Sequence, residues 1–196
     1  LLGSAPVCLA QDTVYARKIV RDLTADEFHG RGYYKGGDSK AADYIAKEFR
    51  KLKLQKIHGS YFQNFSLPVN VFPAKVELTI GGQKLTPGED FIVSPACPPV
   101  KGKYGILRME RPYGSFYKMD LSRDFLLIDR TNADSTTKAE LDSIIKNPPP
   151  AAGLLIPEPK KLTWSVARKV NPYAGIRVLA DSFPSAAHDL EVEVNS

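Results

Sequence analysis

The chain has 196 residues, 43% hydrophobic and 25% charged, a balance that suits a globular protein with a real core and excludes a disordered one. Its formal net charge is +5; residues 1–73 carry 11 Lys/Arg against 7 Asp/Glu, and the remainder carry 16 against 15. That modest excess lacks the dense cationic stripe with interleaved aromatics of a nucleic-acid binder. No apolar run approaches the length of a membrane span.

The first residue is Leu, so the chain is expected to be a fragment or a processed product. Residues 1–10, LLGSAPVCLA, are uncharged and end in small residues, as the tail of a secretory signal peptide does. An apolar N-terminal strand is the alternative. A lipid-modified Cys8 is disfavoured because Val7 precedes it. With that leader removed Cys97 has no intrachain partner, which excludes a disulfide framework. Flanked by Ala96 and Pro98, without a nearby His, Cys97 reads as a small buried hydrophobe.

Tyr15, Ile19 and Leu23 recur at four-residue steps and predict an amphipathic helix over 12–23. Thr24-Ala25-Asp26-Glu27 matches a capping box with Thr24 as N-cap, restarting the helix until Gly30 and Gly32 stop it. Gly36-Gly37 then feeds a longer helix capped by Asp38 or Ser39, with Ala42, Ile45, Ala46, Phe49 and Leu52 on its buried face. Residues 61–72 read as extended and aromatic. From residue 74 the period changes. Val76, Leu78 and Ile80 alternate as a half-buried strand, Gly81-Gly82 marks a hairpin, and Gln83–Leu85 returns. Short strands follow at Phe91–Val93, Tyr104–Leu107 and Phe125–Ile128. A helix with Leu141, Ile144 and Ile145 on one face comes next, then strands at Gly153–Ile156, Ile176–Leu179 and around Leu190, Val192 and Val194. The expected fold is α+β, an N-terminal helical segment followed by a β-rich domain with one or two helices. The expected division is a leader at 1–10, a helical lead-in at 11–73 and the β-rich domain at 74–196.

The search for chemistry returns no catalytic residue. A hydrolytic zinc site needs several His, Cys, Asp or Glu side chains converging on the metal, and His29, His58 and His188 have no such spacing. No Gly-x-Ser-x-Gly elbow or phosphate loop is present. Arg31, with its planar donor fork, and Tyr33 and Tyr34 are the candidates for contacts at a domain junction or cleft. Trp164 is expected to anchor a loop.

Three linked elements resemble the lead-in of the co-catalytic di-zinc peptidases that include secreted bacterial aminopeptidases and glutamate carboxypeptidase-like proteins. They are Leu23-Thr24-Ala25-Asp26-Glu27-Phe28-His29-Gly30-Arg31-Gly32, then Ala41-Ala42-Asp43-Tyr44-Ile45-Ala46-Lys47-Glu48-Phe49, then Tyr61-Phe62-Gln63-Asn64-Phe65. The second part is similar to the protease-associated domain often inserted in that family. The similar segments are Gly88–Val93, Val100–Lys103, Asp124–Asp129 and Ala151–Ile156, although Ala152 stands where Gly is usual.

The resemblance implies the non-catalytic N-terminal part of a secreted or periplasmic zinc aminopeptidase, lacking the zinc catalytic domain. On that implication this chain holds neither zinc nor a catalytic group. Its partners would be the missing peptidase domain and peptide substrate, not nucleic acid. A stand-alone extracellular module binding peptide, glycan or a partner protein is the alternative.

Overall fold

The computed structural model describes residues 12–109 and 114–195; the expected leader at 1–10, with Cys8, lies outside the described residues. The chain forms two compact units that divide between Ser66 and Leu67.

The first unit is helical. Helix α1 (Thr13–Leu23) starts where predicted, because Asp12 Oδ1 accepts from the amide of Tyr15 at 2.9 Å and satisfies an orphan donor of the first turn. Thr24 is not an N-cap. It terminates α1, its hydroxyl donating back to the Val20 and Arg21 carbonyls at 2.9 and 3.1 Å. That back-bonding occupies the oxygen a capping box would need. A short 3-10 segment (Asp26–Arg31) follows, broken by left-handed His29 and Gly30. Helix α2 (Gly37–Lys51) begins earlier than predicted and has no side-chain cap; Asp38 bonds only to the adjacent Ser39 amide. Gly37 has an ordinary helical φ of −61°, so it serves close approach and not a special dihedral. A Cβ there would overlap the Phe28 carbonyl oxygen and lie 3.0 Å from that of Gly32.

The buried stripe of α2 also differs from the expected one. Gly37, Ala41, Ala46 and Glu48 are buried, whereas Ile45 is 39% exposed, Phe49 37% and Leu52 56%. Of the expected stripe, Ala46 is buried and Ala42 half-buried, while Ile45, Phe49 and Leu52 turn outward within this unit. Amphipathicity marks the face that favours burial, not the partner that covers it.

The second unit is a single eight-stranded sheet with strands β1 (Val76–Ile80), β2 (Gln83–Leu85), β3 (Phe91–Val93), β4 (Val100–Met109), β5 (Leu121–Ile128), β6 (Ala151–Glu158), β7 (Ala174–Leu179) and β8 (Asp189–Val194). Their spatial order is β2-β1-β8-β4-β5-β6-β7-β3. All predicted strands are present, β4 and β5 being longer than expected. At the β1–β2 hairpin Ile80 faces Gln83 across Gly81 and Gly82, with φ of 54° and 81°; a two-residue turn needs this left-handed pair. Strands β4, β5, β6 and β7 run parallel to one another, and the remaining pairs are antiparallel. The result is a mixed, sheet-rich arrangement compatible with an α+β description.

Strand alternation builds two cores, because successive side chains of a strand point to opposite faces. Phe125, Leu127 and Leu155 join an inner cluster with Leu78, Phe91, Ile176 and Leu190. Leu85 on β2 and Phe91 and Val93 on β3 belong to that same cluster, so the two ends of the strand order curl around one core. Leu126, Ile128, Leu154 and Ile156 join an outer cluster beneath helix α3 (Ser135–Lys146), through Leu141 and Ile144. Asp134 caps α3 by accepting from the amide of Thr137 at 2.9 Å, and Pro148–Pro150 stop its continuation. Chains that are apolar on both faces, as β5 and β6 are, belong in parallel sheets covered on both sides.

Candidate functional site

Two phenol–carboxylate hydrogen bonds join the helices of the first unit. The Tyr15 hydroxyl donates to Glu48 Oε2 at 2.9 Å and that of Tyr44 to Asp22 Oδ2 at 2.8 Å. Lys51 reaches Glu48 and Lys18 reaches Asp22, at 2.5 and 2.7 Å. The ammonium bond of Lys51, then the Tyr15 hydroxyl, hold Glu48 below the usual carboxylate range; Lys18, then Tyr44, do the same for Asp22. Tyr15 is raised, chiefly by its bond to Glu48, and Tyr44 by burial and then by Asp22.

The signs follow by linkage. The carboxylates contribute stability that is present above their unfolded pKa and lost as pH falls through the lower folded value. The tyrosines contribute below their ordinary pKa and lose it as pH rises through the raised one. Protection of the α1 amides, with the intrinsic pH dependence of exchange divided out, should therefore be highest near neutrality and fall on acidification to about pH 3, before that of β5 and β6 responds. Tyr15→Phe should speed exchange at neutral pH and blunt that acid response. An unchanged acid response in Tyr15→Phe would reject the role given to the Tyr15–Glu48 bond.

The three candidate contact residues lie on the bend between these helices. Arg31 adopts φ 61° and donates from Nη1 to the Leu23 carbonyl at 3.2 Å, so its fork supports the end of α1. Tyr33 and Tyr34 are exposed. The Tyr34 ring meets the edge of His29 at a centroid distance of 5.7 Å, and Lys35 Nζ lies 5.2 Å from its centroid. Tyr33 and Tyr34 thus share an outward surface, while Arg31 is engaged with backbone.

One recess in this unit was not identified from the sequence. After α2 the chain turns through Lys53 (φ 55°) and again through His58 and Gly59 (φ 48° and 80°), with Ile57 and Ser60 exchanging backbone hydrogen bonds at 3.1 and 3.0 Å. The Tyr61 hydroxyl donates to the Leu54 carbonyl at 2.8 Å, and its ring packs edgewise on Phe49 at 5.9 Å. These contacts frame an open groove of about 680 Å³, lined by Phe49, Leu54, Ile57, His58, Tyr61 and Phe62. Its size falls in the range of ligand sites. The one hydroxyl nucleophile at its wall, Ser60 Oγ, already accepts from the Phe62 amide at 2.9 Å, and no carboxylate lines it. A sequence signal did exist, since aromatic and aliphatic residues cluster between 49 and 62, but only the turn chemistry at 53 and 58–59 shapes them into a wall.

In the second unit, charged side chains meet beyond the C-terminal ends of β5 and β6, the place where parallel sheets commonly present ligand sites. Arg130 pairs with Asp142 on α3 and lies 3.6 Å from Glu158 at the end of β6, which also pairs with Arg177 on β7. Each guanidinium already faces a carboxylate, so the cluster clasps α3, β6 and β7 together. Among the described residues, Arg130 Nε is the buried side-chain polar atom without a hydrogen-bond partner. Sequence separations of 12 to 47 residues hide this cluster until the strand register is known.

Cys97 is fully buried, and burial pushes its thiol up to about 11; its sulfur donates to the Pro98 carbonyl at 3.3 Å. A thiol so protonated is a poor nucleophile. His188 uses its carbonyl to receive the Ile106 amide at 2.8 Å. Among the described residues no group of three or more His, Cys, Asp or Glu is placed to hold a metal. Trp164 departs from its expected anchoring role. It stands 62% exposed on the segment between β6 and β7. No helix among the described residues is long and apolar enough to cross a membrane.

No family model matches the sequence, and no curated protein matches it. Solved structures do. The chain is similar to BSAP, a zinc aminopeptidase from Bacillus subtilis, with a TM-score of 0.62 and 16% sequence identity over 95% of this chain and 44% of that one. A medium-resolution crystal structure of the same Bacillus subtilis aminopeptidase matches with a TM-score of 0.52 and 15% identity, over 81% of this chain and 38% of that one. At such identity the likeness is one of fold, and the chain spans less than half the length of the enzyme it resembles.

Proposed function

We propose that this chain is the non-catalytic N-terminal part of a secreted or periplasmic zinc-dependent aminopeptidase. Peptide hydrolysis is then the work of a zinc peptidase domain outside it, and this part supplies scaffold, lid or substrate access around that domain's cleft. The protease-associated identity of the second unit belongs to the same proposal. The observation that carries it is the fold likeness, which takes in 95% of this chain but only 44% of a zinc aminopeptidase. The outward apolar stripe of α2, Ile45, Phe49 and Leu52, supports it. Exposed apolar surface beside a groove marks a contact site, here for the zinc domain.

The purified chain should bind no stoichiometric zinc and release no chromophore from an aminoacyl anilide. It should bind an apolar dye, and Phe49→Ser should reduce that binding. In the intact protein the dye should find little surface, and hydrolysis should be abolished by chelation. Chelator-sensitive hydrolysis by residues 1–196 alone would overturn the proposal. A well-folded chain that excludes the dye and binds peptide or glycan in the groove would favour the stand-alone binding module instead.

A further inference from the structure

The segment joining β6 to β7 concentrates charge and apolar surface in a way that neither core explains. From Pro159 to Pro172 the chain carries Lys160, Lys161, Arg168 and Lys169 and no acidic residue. All four cations are exposed, and none has an ion-pair partner among the described residues. Between the two cationic pairs stand Trp164, Val166 and, beside the second, Val170, each more than half exposed.

The segment is held at its base. The Asn70 amide donates to the Ala167 carbonyl at 3.0 Å and the Asn171 amide to that of Ala96 at 2.7 Å. Asn70 Nδ2 donates to the Pro95 and Cys97 carbonyls, both at 3.0 Å. The segment is therefore fixed at Ala167 and Asn171, next to the exposed Trp164 and Val166.

We infer that this loop docks the protein on an anionic phospholipid surface, Trp164 and Val166 entering the interface while Lys160, Lys161, Arg168 and Lys169 face the headgroups. Indole sits preferentially at the membrane–water boundary, and cations flanking an apolar tip are the pattern of a peripheral anchor. The competing occupants fit less well. The recess beside Trp164 is about 150 Å³, below the roughly 300 Å³ of small-molecule sites. A single-stranded nucleic acid needs successive aromatic platforms, and the loop offers one aromatic with exposed valines that bases do not use. This inference rests on the second unit alone and stands whether or not the chain belongs to a peptidase.

Trp164 is the sole tryptophan among the 196 residues, so its emission reports on this loop in the full chain. With vesicles of equal parts phosphatidylcholine and phosphatidylglycerol at low salt, the emission should shift to the blue and become protected from iodide. Vesicles of phosphatidylcholine alone should produce neither effect. K160E/K161E should weaken sedimentation with the anionic vesicles at least ~10-fold, at an unchanged thermal midpoint, and high salt should act likewise. Val166→Asp should weaken it at unchanged cationic charge. No binding to anionic vesicles, equal binding to neutral ones, or indifference to K160E/K161E would overturn the inference. So would tighter binding to polyglutamate or single-stranded DNA than to the vesicles, which would identify a soluble polyanion as the partner.

Discussion

Gly153→Ala should lower the stability of the sheet unit by about 3 kcal/mol, equivalent to a fall of roughly 10 °C in its thermal midpoint. Gly153 pairs with Phe125 across β5 and β6. A Cβ at 153 would overlap that ring, reaching its Cζ at 2.6 Å and Cδ1 at 2.7 Å. Phe125 has no room to retreat. It is fully buried and packs edgewise on Tyr104 at a centroid distance of 5.2 Å, in an interior where overpacking forces side chains off their rotamers. Combining Gly153→Ala with Phe125→Leu should recover part of the loss, because the smaller side chain vacates the space the methyl needs. Guanidinium denaturation of both single variants and the double one gives the coupling, expected to exceed ~1 kcal/mol for residues in direct contact. A Gly153→Ala midpoint indistinguishable from the parent would show that the ring has somewhere to go.

Gly37→Ala should instead dismantle the helical unit while sparing the sheet. In a helix Ala is favoured over Gly by about 1 kcal/mol, so on propensity alone the change is stabilising. The geometry opposes it, since the new methyl would overlap the Phe28 carbonyl oxygen, an atom of the backbone that no rotamer can move. To relieve it, α2 must separate from the 3-10 segment that seats Phe28. Among the described residues, Phe28, Ala41 and Ala46 are the buried hydrophobic side chains of this unit. A cost of about 3 kcal/mol is large against so small a core. Limited proteolysis should open cleavage sites between residues 12 and 60 of Gly37→Ala, with β5 and β6 still protected. Unaltered protection across α2 would contradict the close-approach reading.

The strands were readable because their chemistry is local. Val76, Leu78 and Ile80 alternate, glycines at 81 and 82 demand a tight turn, and Leu190, Val192 and Val194 repeat the period at the far end. Their partners were not readable, since alternation names the face of a strand and not its neighbour or its direction. Hence the parallel run from β4 to β7 and the Arg130–Glu158–Arg177 cluster it assembles emerge only with the register. The helices show the complementary limit. Tyr15, Ile19 and Leu23 mark the side of α1 that is partly covered, yet what joins α1 to α2 is a pair of tyrosine–carboxylate bonds, to which apolar periodicity is blind. At Thr24 the capping-box pattern competed with back-bonding to α1, and the second won because the residue stayed in the turn that ends α1, at φ −97° and ψ 1°. Of the candidate contacts, Tyr33 and Tyr34 are exposed. Arg31 donates to the Leu23 carbonyl, one of the two uses, carboxylate or backbone carbonyl, that its donor fork suggested.

Strand β8 has a consequence for how this protein is made. It lies between β1 and β4, bonding to each along its length, and among the described residues it is the strand furthest along the sequence. The β1–β2 hairpin therefore leaves the ribosome more than 100 residues before the strand that joins it to the rest of the sheet. Throughout that interval the inward faces of Leu78 and Ile80 and the open edge of β4 lack a covering strand. Such late, long-range closure folds slowly and exposes unpaired edges meanwhile, so the sheet cannot close until Asp189–Val194 emerge.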